Sequence, residues 1–379
     1  MPWEHSVSNT CSYVKGFQAA KLPGVLPAGK QRQATEQSSH LGKDAMVNRA
    51  SLAVSVGAAA ALLTACQGNS AAPASAPPVL STASYVHDQL GSWVAPQARA
   101  ASSLLYVSNT GSKSVTIYSW DDGNAHELVG TLKGFQQPAG LCVDKSGDVF
   151  VVDSGAYNVY EYAHGQTQRL QSISERAYGV PYSCAIDIQK SGDLAVVNGV
   201  DKKRHLDPNV RVYANASGGG TGYEGFDNSG DLLFSAYDNS GNLYVDGFDN
   251  YGIPALFSLP RRGGSFGEIA VHGASISTPT ALVWINPTLM IGDQDFQNKG
   301  ISGAYKLNVY GTQADVVGKF PFKGTINVNG FTRRGNRLIA PDETTNDVTI
   351  FTFPQGKPYS VFNNNISKPF AAAVSQFAQ

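Results

Sequence analysis

Charge is scarce in this 379-residue chain: Asp, Glu, Lys and Arg make up 15% of it, where about 25% is usual. The 28 basic and 29 acidic residues nearly cancel, leaving a formal net charge of −1. Without a basic surplus the chain is poorly equipped to displace counterions from a polyanion, which argues against nucleic-acid binding. Scarce charge does not mean disorder here, because 42% of the residues are hydrophobic and can build a core. Long apolar runs are also missing. The apolar stretch at residues 50–63 has 14 residues, whereas a spanning helix needs about 20. There is no Gly-x-Ser-x-Gly elbow, no phosphate-cradling glycine loop and no zinc signature. Among His126, His164, His205 and His272 no two share metal-ligand spacing. Glycine (40) and tyrosine (17) are abundant, and with Ser, Asn and Val they point to β-structure with many turns.

Residues 1–45 show no sustained apolar periodicity and read as an upstream extension without structure. The character changes at Met46-Val47-Asn48-Arg49, which carries one positive charge and precedes the apolar stretch. A basic start, an apolar segment and small residues at a cut site mark residues 46–65 as a secretory signal. Translation from Met46 would make the upstream extension unnecessary for export. Leu63-Thr64-Ala65-Cys66 resembles the lipobox of bacterial lipoproteins. The resemblance implies that the Cys66 thiol receives a diacylglyceryl group and becomes the mature N-terminus. Two or more acyl chains give stable anchoring where one is marginal. It further implies a cell-envelope location with membrane contact through the lipid alone. Gln67, where an Asp would signal inner-membrane retention, favours the outer membrane. Residues 66–102 are then the lipidated cysteine and a tether, since residues 70–78 are too poor in large apolar groups to fold. A helical turn at residues 85–90, with Trp93 beyond it, is expected to dock on the domain that follows.

Beyond residue 103 one unit recurs: a short apolar strand, a turn usually containing glycine, and a second strand ending in Asp or Asn. The clearest copies are residues 141–153 (LCVDKSGDVFVVD), 185–198 (AIDIQKSGDLAVVN) and 237–246 (YDNSGNLYVD). The closing residues are Asn109, Asp153, Asn198, Asp246, Asp293 and Asp342, separated by 44, 45, 48, 47 and 49 positions. A third strand with alternating pattern follows each, as in Val159-Tyr160-Glu161-Tyr162, and then a more variable fourth. Four short strands per unit of this length describe a β-propeller blade, and six units predict an all-β, six-bladed ring over residues 103–379. The segment at residues 365–374 matches the strand that precedes the glycine turn, whereas Leu104-Leu105-Tyr106-Val107 begins directly at a second strand. The C-terminal strand is therefore expected to complete the first blade.

The repeat resembles NHL-type and YncE-type propellers, whose consensus runs Pro-x-Gly-apolar-x-Val-Asp, a gap, then Gly-Asn-apolar-x-Val-x-Asp. The likeness covers residues 104–375 and is best in two blades. It implies an architecture that many unrelated activities share.

Cys142 and Cys184 fall in equivalent strands of consecutive blades but one position out of register, so they face opposite ways and can meet across one interblade boundary. A disulfide is expected there, in keeping with an exported protein; two buried thiols are the alternative. The six closing residues ring one mouth of the channel. As ligands they would suit Ca²⁺, as in propeller lactonases that the fold resembles. As caps they would bond backbone N–H groups of their own turns, and only the cap accounts for all six copies. No cofactor is therefore expected.

The loops after the second strands share that mouth, and two are long, at residues 199–209 and 294–302. Lys202, Lys203 and Arg204 could meet an anionic glycan or a peptide carboxylate. Phe296, together with Asp153, Asn198, Asp246, Asp293 and Asp342, completes the set of mouth candidates. Tyr157, Tyr178, Tyr182, Tyr223, Phe248, Tyr251 and Phe296 either stack on sugars or anchor loops and interblade packing. The reading is a monomeric, lipid-anchored propeller that binds or scaffolds a protein, peptide or glycan. The alternative is a metal-dependent hydrolase or lyase with carboxylate ligands in the channel.

Overall fold

A computed structural model describes residues 86–87, 90–224 and 229–377. The extension, the signal segment, Cys66 and the tether up to residue 85 lie outside the described residues.

Six antiparallel sheets follow one another around a ring. The second blade shows the plan: Pro138–Val143, Val149–Asp153, Asn158–Tyr162 and Arg169–Ser174 run from the channel outward. Its second strand, Val-Phe-Val-Val-Asp, is buried at every position. Such a continuous apolar run belongs to a strand covered on both faces. The covering comes from neighbouring blades: Phe150 and Val152 share a cluster with Cys184, Ile186 and Leu194 of the third blade. The core therefore lies largely between blades, which explains why one repeat does not fold by itself.

The turn between the first two strands is written in the sequence. Asp144 Oδ1 accepts the N–H groups of Ser146 (2.9 Å) and Asp148 (2.8 Å). Gly147, at φ 88°, takes the left-handed conformation the hairpin needs. In the fourth blade Asp238 repeats the arrangement on Ser240 and Asn242, both at 2.8 Å.

The third blade comprises Val180–Ile186, Leu194–Gly199, Asn209–Tyr213 and Thr221–Tyr223. The fourth comprises Ser229–Tyr237, Leu243–Asp249, Pro254–Leu259 and Gly267–Glu268. The fifth comprises Pro279–Ile285, Thr288–Asp293, Gly303–Tyr310 and Gln313–Pro321. The sixth comprises Thr332–Arg334, Arg337–Asp342, Asp347–Thr352 and Pro358–Phe362. The first blade is assembled from both ends of the ring: Pro369–Gln376 pairs antiparallel with Ser103–Asn109, with Ala372 opposite Val107. Ser114–Asp121 and Asn124–Leu132 complete it.

Two edges carry more strand than the repeat foretells. Trp93–Val94 pairs with Asn124–Leu132, and Val86–His87 pairs with Trp93–Val94, so the first blade has six strands. The segment around Trp93 does dock on the domain, but as strand added to a sheet, and Val86–His87 is extended where a helical turn was expected. Val94, Ala95 and Ala98 are buried there, and Gly130 lets the segment come close, since a Cβ would stand 3.0 Å from the Trp93 carbonyl oxygen. Ala270–His272 similarly runs parallel along the outer strand of the fifth blade.

Candidate functional site

The six closing residues end their second strands as expected, and all are fully buried. They build the mouth from within and do not face it. Asp153 accepts N–H groups from Gln136 (2.9 Å) and Gln137 (2.7 Å), where the chain comes into the same blade's innermost strand, and from Ala156 (3.3 Å) in its own turn. Asp293 does the same with Thr278 (3.1 Å) and Asp295 (3.3 Å), and Asp342 with Asn327 (3.3 Å) and Thr344 (2.8 Å). Asn109 Oδ1 accepts from Ser367 (3.0 Å), while its amide donates to Val107 O and Thr116 Oγ1, both at 3.0 Å. The residue is thus a clamp between the outgoing second strand and the incoming first, wider in reach than a cap on one turn.

The third and fourth blades depart from this pattern. Asn198 donates its amide to Glu175 Oε2 at 2.8 Å and to Asn209 Oδ1 at 3.2 Å. The incoming loop supplies the carboxylate here, so the clamp residue becomes the donor. Glu175 is fully buried and also accepts from the Tyr213 hydroxyl. Burial pushes its carboxyl above the ordinary range, opposed by the bonds from Tyr213 and Asn198 and by the nearby Arg211 charge. In the fourth blade Asp246 reaches Phe234 N at 2.9 Å, within a bulge of the first strand. Its other oxygen is buried without a partner.

Phe296 is 1% exposed, with its ring 4.8 Å from that of Tyr305. Gly303 makes room for it: a Cβ there would lie 2.4 Å from the Phe296 ring. Of the two readings open to this aromatic, stacking on a sugar or anchoring its loop, the burial matches the second.

Lys202 and Lys203 are exposed, and Arg204 is half-buried. Asp201, 3% exposed, organises them. Its Oδ1 accepts the N–H groups of Lys203 (3.0 Å) and Arg204 (3.2 Å), and its Oδ2 lies 3.5 Å from Arg204 Nε. The Arg204 guanidinium stacks on Tyr157, 3.9 Å from the ring centroid, and also donates to the Arg176 carbonyl. Arg176, exposed, lies 6.0 Å from the same ring. Glu175 N in turn donates to Tyr157 O at 2.9 Å. Burial and the adjacent Asp201 carboxylate push the Tyr157 phenol above its ordinary value. Three loops, at residues 154–157, 175–179 and 200–208, therefore converge at the boundary between the second and third blades. They bring Arg176 and Arg204 to one tyrosine ring, and Lys202 and Lys203 are exposed on the loop that carries Arg204. The sequence reading found Lys202, Lys203 and Arg204. Arg176, Asp201 and Glu175 escaped it, because isolated charges in loops carry no spacing signal. Beside this group Arg211 stacks on Tyr178 at 3.7 Å.

Elsewhere, Tyr182 lies in the channel wall against Phe234 and Phe370, Tyr223 packs on Phe266, and Tyr251 is 85% exposed. Cys142 and Cys184 are joined by a disulfide with Cα atoms 5.7 Å apart. Cys142 pairs with Phe150 and Cys184 with Val196, three and two residues before their respective closing residues. Among the described residues one acidic trio, Asp144, Asp148 and Glu161, has ligand atoms within 4.8 Å of one another. It lies on the turn face of the second blade, away from the closing residues.

An NHL repeat family model matches residues 135–159, the first two strands of the second blade and the start of its third. No curated protein matches the chain. A chain from the crystal structure of a nidogen/laminin complex aligns with a TM-score of 0.58 and 14% identity, over 73% of this chain and 100% of that one. A protein of unknown function from Bacteroides caccae aligns with a TM-score of 0.52 and 13% identity, over 72% of this chain and 98% of that one. At these identities the likeness is one of fold. The chain is a six-bladed β-propeller whose second blade carries an NHL repeat.

Proposed function

We propose that this chain is an exported, lipid-anchored binding module of a bacterial cell envelope, held through Cys66 and recognising a carboxylate-bearing partner at the loop-rich mouth. The observation that carries the reading is the meeting of Arg176 and Arg204 at the Tyr157 ring, with Lys203 exposed on the same loop as Arg204. Cations on a rigid scaffold steer an anionic partner and select against others. The planar fork of arginine also matches a carboxylate bidentately. Support for a macromolecular partner comes from the nidogen/laminin complex, in which a chain of this fold was solved. The signal segment, the lipobox-like Leu63-Thr64-Ala65-Cys66 and the Cys142–Cys184 bond all suit an oxidising compartment outside the cytoplasm.

The test is calorimetric titration of residues 67–379 with two carboxylate polymers, polyglutamate and polygalacturonate, one a peptide and one a glycan. At least one should bind saturably, more weakly as salt rises. The Arg176→Glu/Lys203→Glu variant, altered at exposed positions, should bind about tenfold more weakly or worse. Failure of both polymers to bind, or binding indifferent to the double substitution, would overturn the mouth assignment. The anchor is checked separately: Cys66→Ala should release the chain from membranes.

A further inference from the structure

The second and third strands of the fourth blade pair farther out at the mouth than those of any other blade. Elsewhere the ladder between these strands ends at the closing residue, as where Asp153 faces Asn158 and Asp342 faces Asp347. In the fourth blade Asp246 pairs with Leu256, and the ladder goes on through Gly247 with Ala255 and Phe248 with Pro254. Asp249 ends the strand three residues past the closing position, about 10 Å farther out at the rise of a β-strand. The first strand follows it, with Ser229 opposite Asp249.

The tip of this hairpin is held tightly. Asp249 Oδ1 accepts the N–H groups of Tyr251 and Ile253, both at 2.8 Å, and Asp249 N donates to Ile253 O at 2.8 Å. Gly252, at φ 75°, donates its N–H to Asp249 O at 3.0 Å. So braced a turn has little conformational freedom left to lose on binding. What it holds up is apolar. Tyr251 is 85% and Ile253 59% exposed, the two most exposed large hydrophobic side chains among the described residues. Scattered apolar side chains are ordinary on a surface, but two together on a braced, projecting turn have the form of a binding anchor.

Charge and shape narrow the partner. Val200 N, at the start of the cationic loop, donates to Asp231 Oδ1 at 3.0 Å, and Asp231 pairs with Phe248 of this hairpin. The cationic loop and the apolar tip are therefore adjoining parts of one surface. The tip itself bears the Asp249 carboxylate and no lysine or arginine, which sets it against an anionic bilayer. A glycan can stack on the tyrosine ring but gains little from Ile253, whereas a polypeptide can cover both with apolar side chains.

We propose that Tyr251 and Ile253 anchor an acidic polypeptide by packing among its aromatic or aliphatic side chains, while its carboxylates meet the neighbouring cationic loop. The carboxylate contact rests on the mouth assignment above; the apolar anchor does not. The probes are polyglutamate and a random copolymer of glutamate and tyrosine, titrated calorimetrically into residues 67–379 at equal carboxylate concentration. The copolymer should bind about tenfold more tightly than polyglutamate. Tyr251→Ser/Ile253→Ser, altered at exposed positions, should erase that advantage and leave polyglutamate binding and the melting temperature unchanged. Arg176→Glu/Lys203→Glu should weaken both polymers. Equal affinity for the two polymers, or an advantage that survives the tip substitution, would overturn the anchor and leave the mouth assignment in place. Copolymer binding that needs the tip but ignores Arg176→Glu/Lys203→Glu would uphold the anchor and remove the mouth assignment. Tip-dependent sedimentation with phosphatidylglycerol vesicles, without preference for the copolymer, would make the tip a membrane contact and overturn the proposal.

Discussion

Asp153 gives both carboxylate oxygens to backbone N–H groups, whereas Asp246, at the same place in its blade, gives one and leaves the other buried and bare. Burial pushes the Asp246 carboxyl well above its ordinary value, against the opposing bond from Phe234. The folded chain therefore holds this proton more tightly than the unfolded chain. Its contribution to stability is fully present below the ordinary aspartate pKa of about 4 and is lost as pH rises through the higher folded value. Asp246→Asn keeps the shape and cannot titrate. Its melting temperature relative to the native chain should therefore climb from pH 4 towards neutrality, as read by thermal denaturation across pH. A difference that stays constant with pH would show that Asp246 does not titrate in that window. The places of Asp153, Asp246 and their counterparts were legible because each is the last residue of a repeated strand. Their partners were not. Gln136 and Gln137 are reached only once the blade is folded, and Glu175, which turns Asn198 into a donor, sits in a loop that the repeat does not cover.

Single elements divide in the same way. The second and third strands of each blade declared themselves through apolar pattern and glycine turns, whereas outer strands such as Arg169–Ser174 and Gln313–Pro321, half-exposed and variable, did not. Val86–His87, Trp93–Val94 and Ala270–His272 are two or three residues long, too short for any periodicity, and pairing against an existing edge is what makes them strands. The cysteine offset was readable because a strand alternates its faces, and a shift of one position turns a side chain around. The bond spans 42 residues of sequence. Closing a loop of that length restricts the unfolded chain by about 4 kcal/mol in the chain-entropy account. Cys142→Ser/Cys184→Ser should therefore unfold at lower urea, with a loss of up to about 4 kcal/mol and an unchanged β-sheet circular dichroism spectrum. The packing of Phe150 and Val152 against Ile186 still joins the two blades. A midpoint equal to that of the native chain would mean that this packing alone sets their stability.

At the scale of the molecule the ring depends on its last strand. Pro369–Gln376 is the innermost strand of a blade whose other members lie more than 230 residues earlier in sequence. It buries Phe370, Ala371, Ala372 and Ala373 to 8% exposure or less. It also reaches the next blade, where Ser375 Oγ lies 2.6 Å from His164 Nδ1. Removing it would expose the inner edge of Ser103–Asn109 and empty one sixth of the channel wall. Few interactions available to the shortened chain replace either loss. A chain ending at residue 365 should lose about 5 kcal/mol or more, comparable with the whole stability of an ordinary domain. It should show a broad, early melt and exposed apolar surface by dye binding. Adding a synthetic peptide of residues 366–379 should restore a sharp transition in a concentration-dependent way, because the strand and its groove are complementary without a covalent link. A shortened chain that melts like the native one would show that the other five blades hold the ring without closure. Rescue by a scrambled peptide would reduce the effect to non-specific cover of an apolar edge.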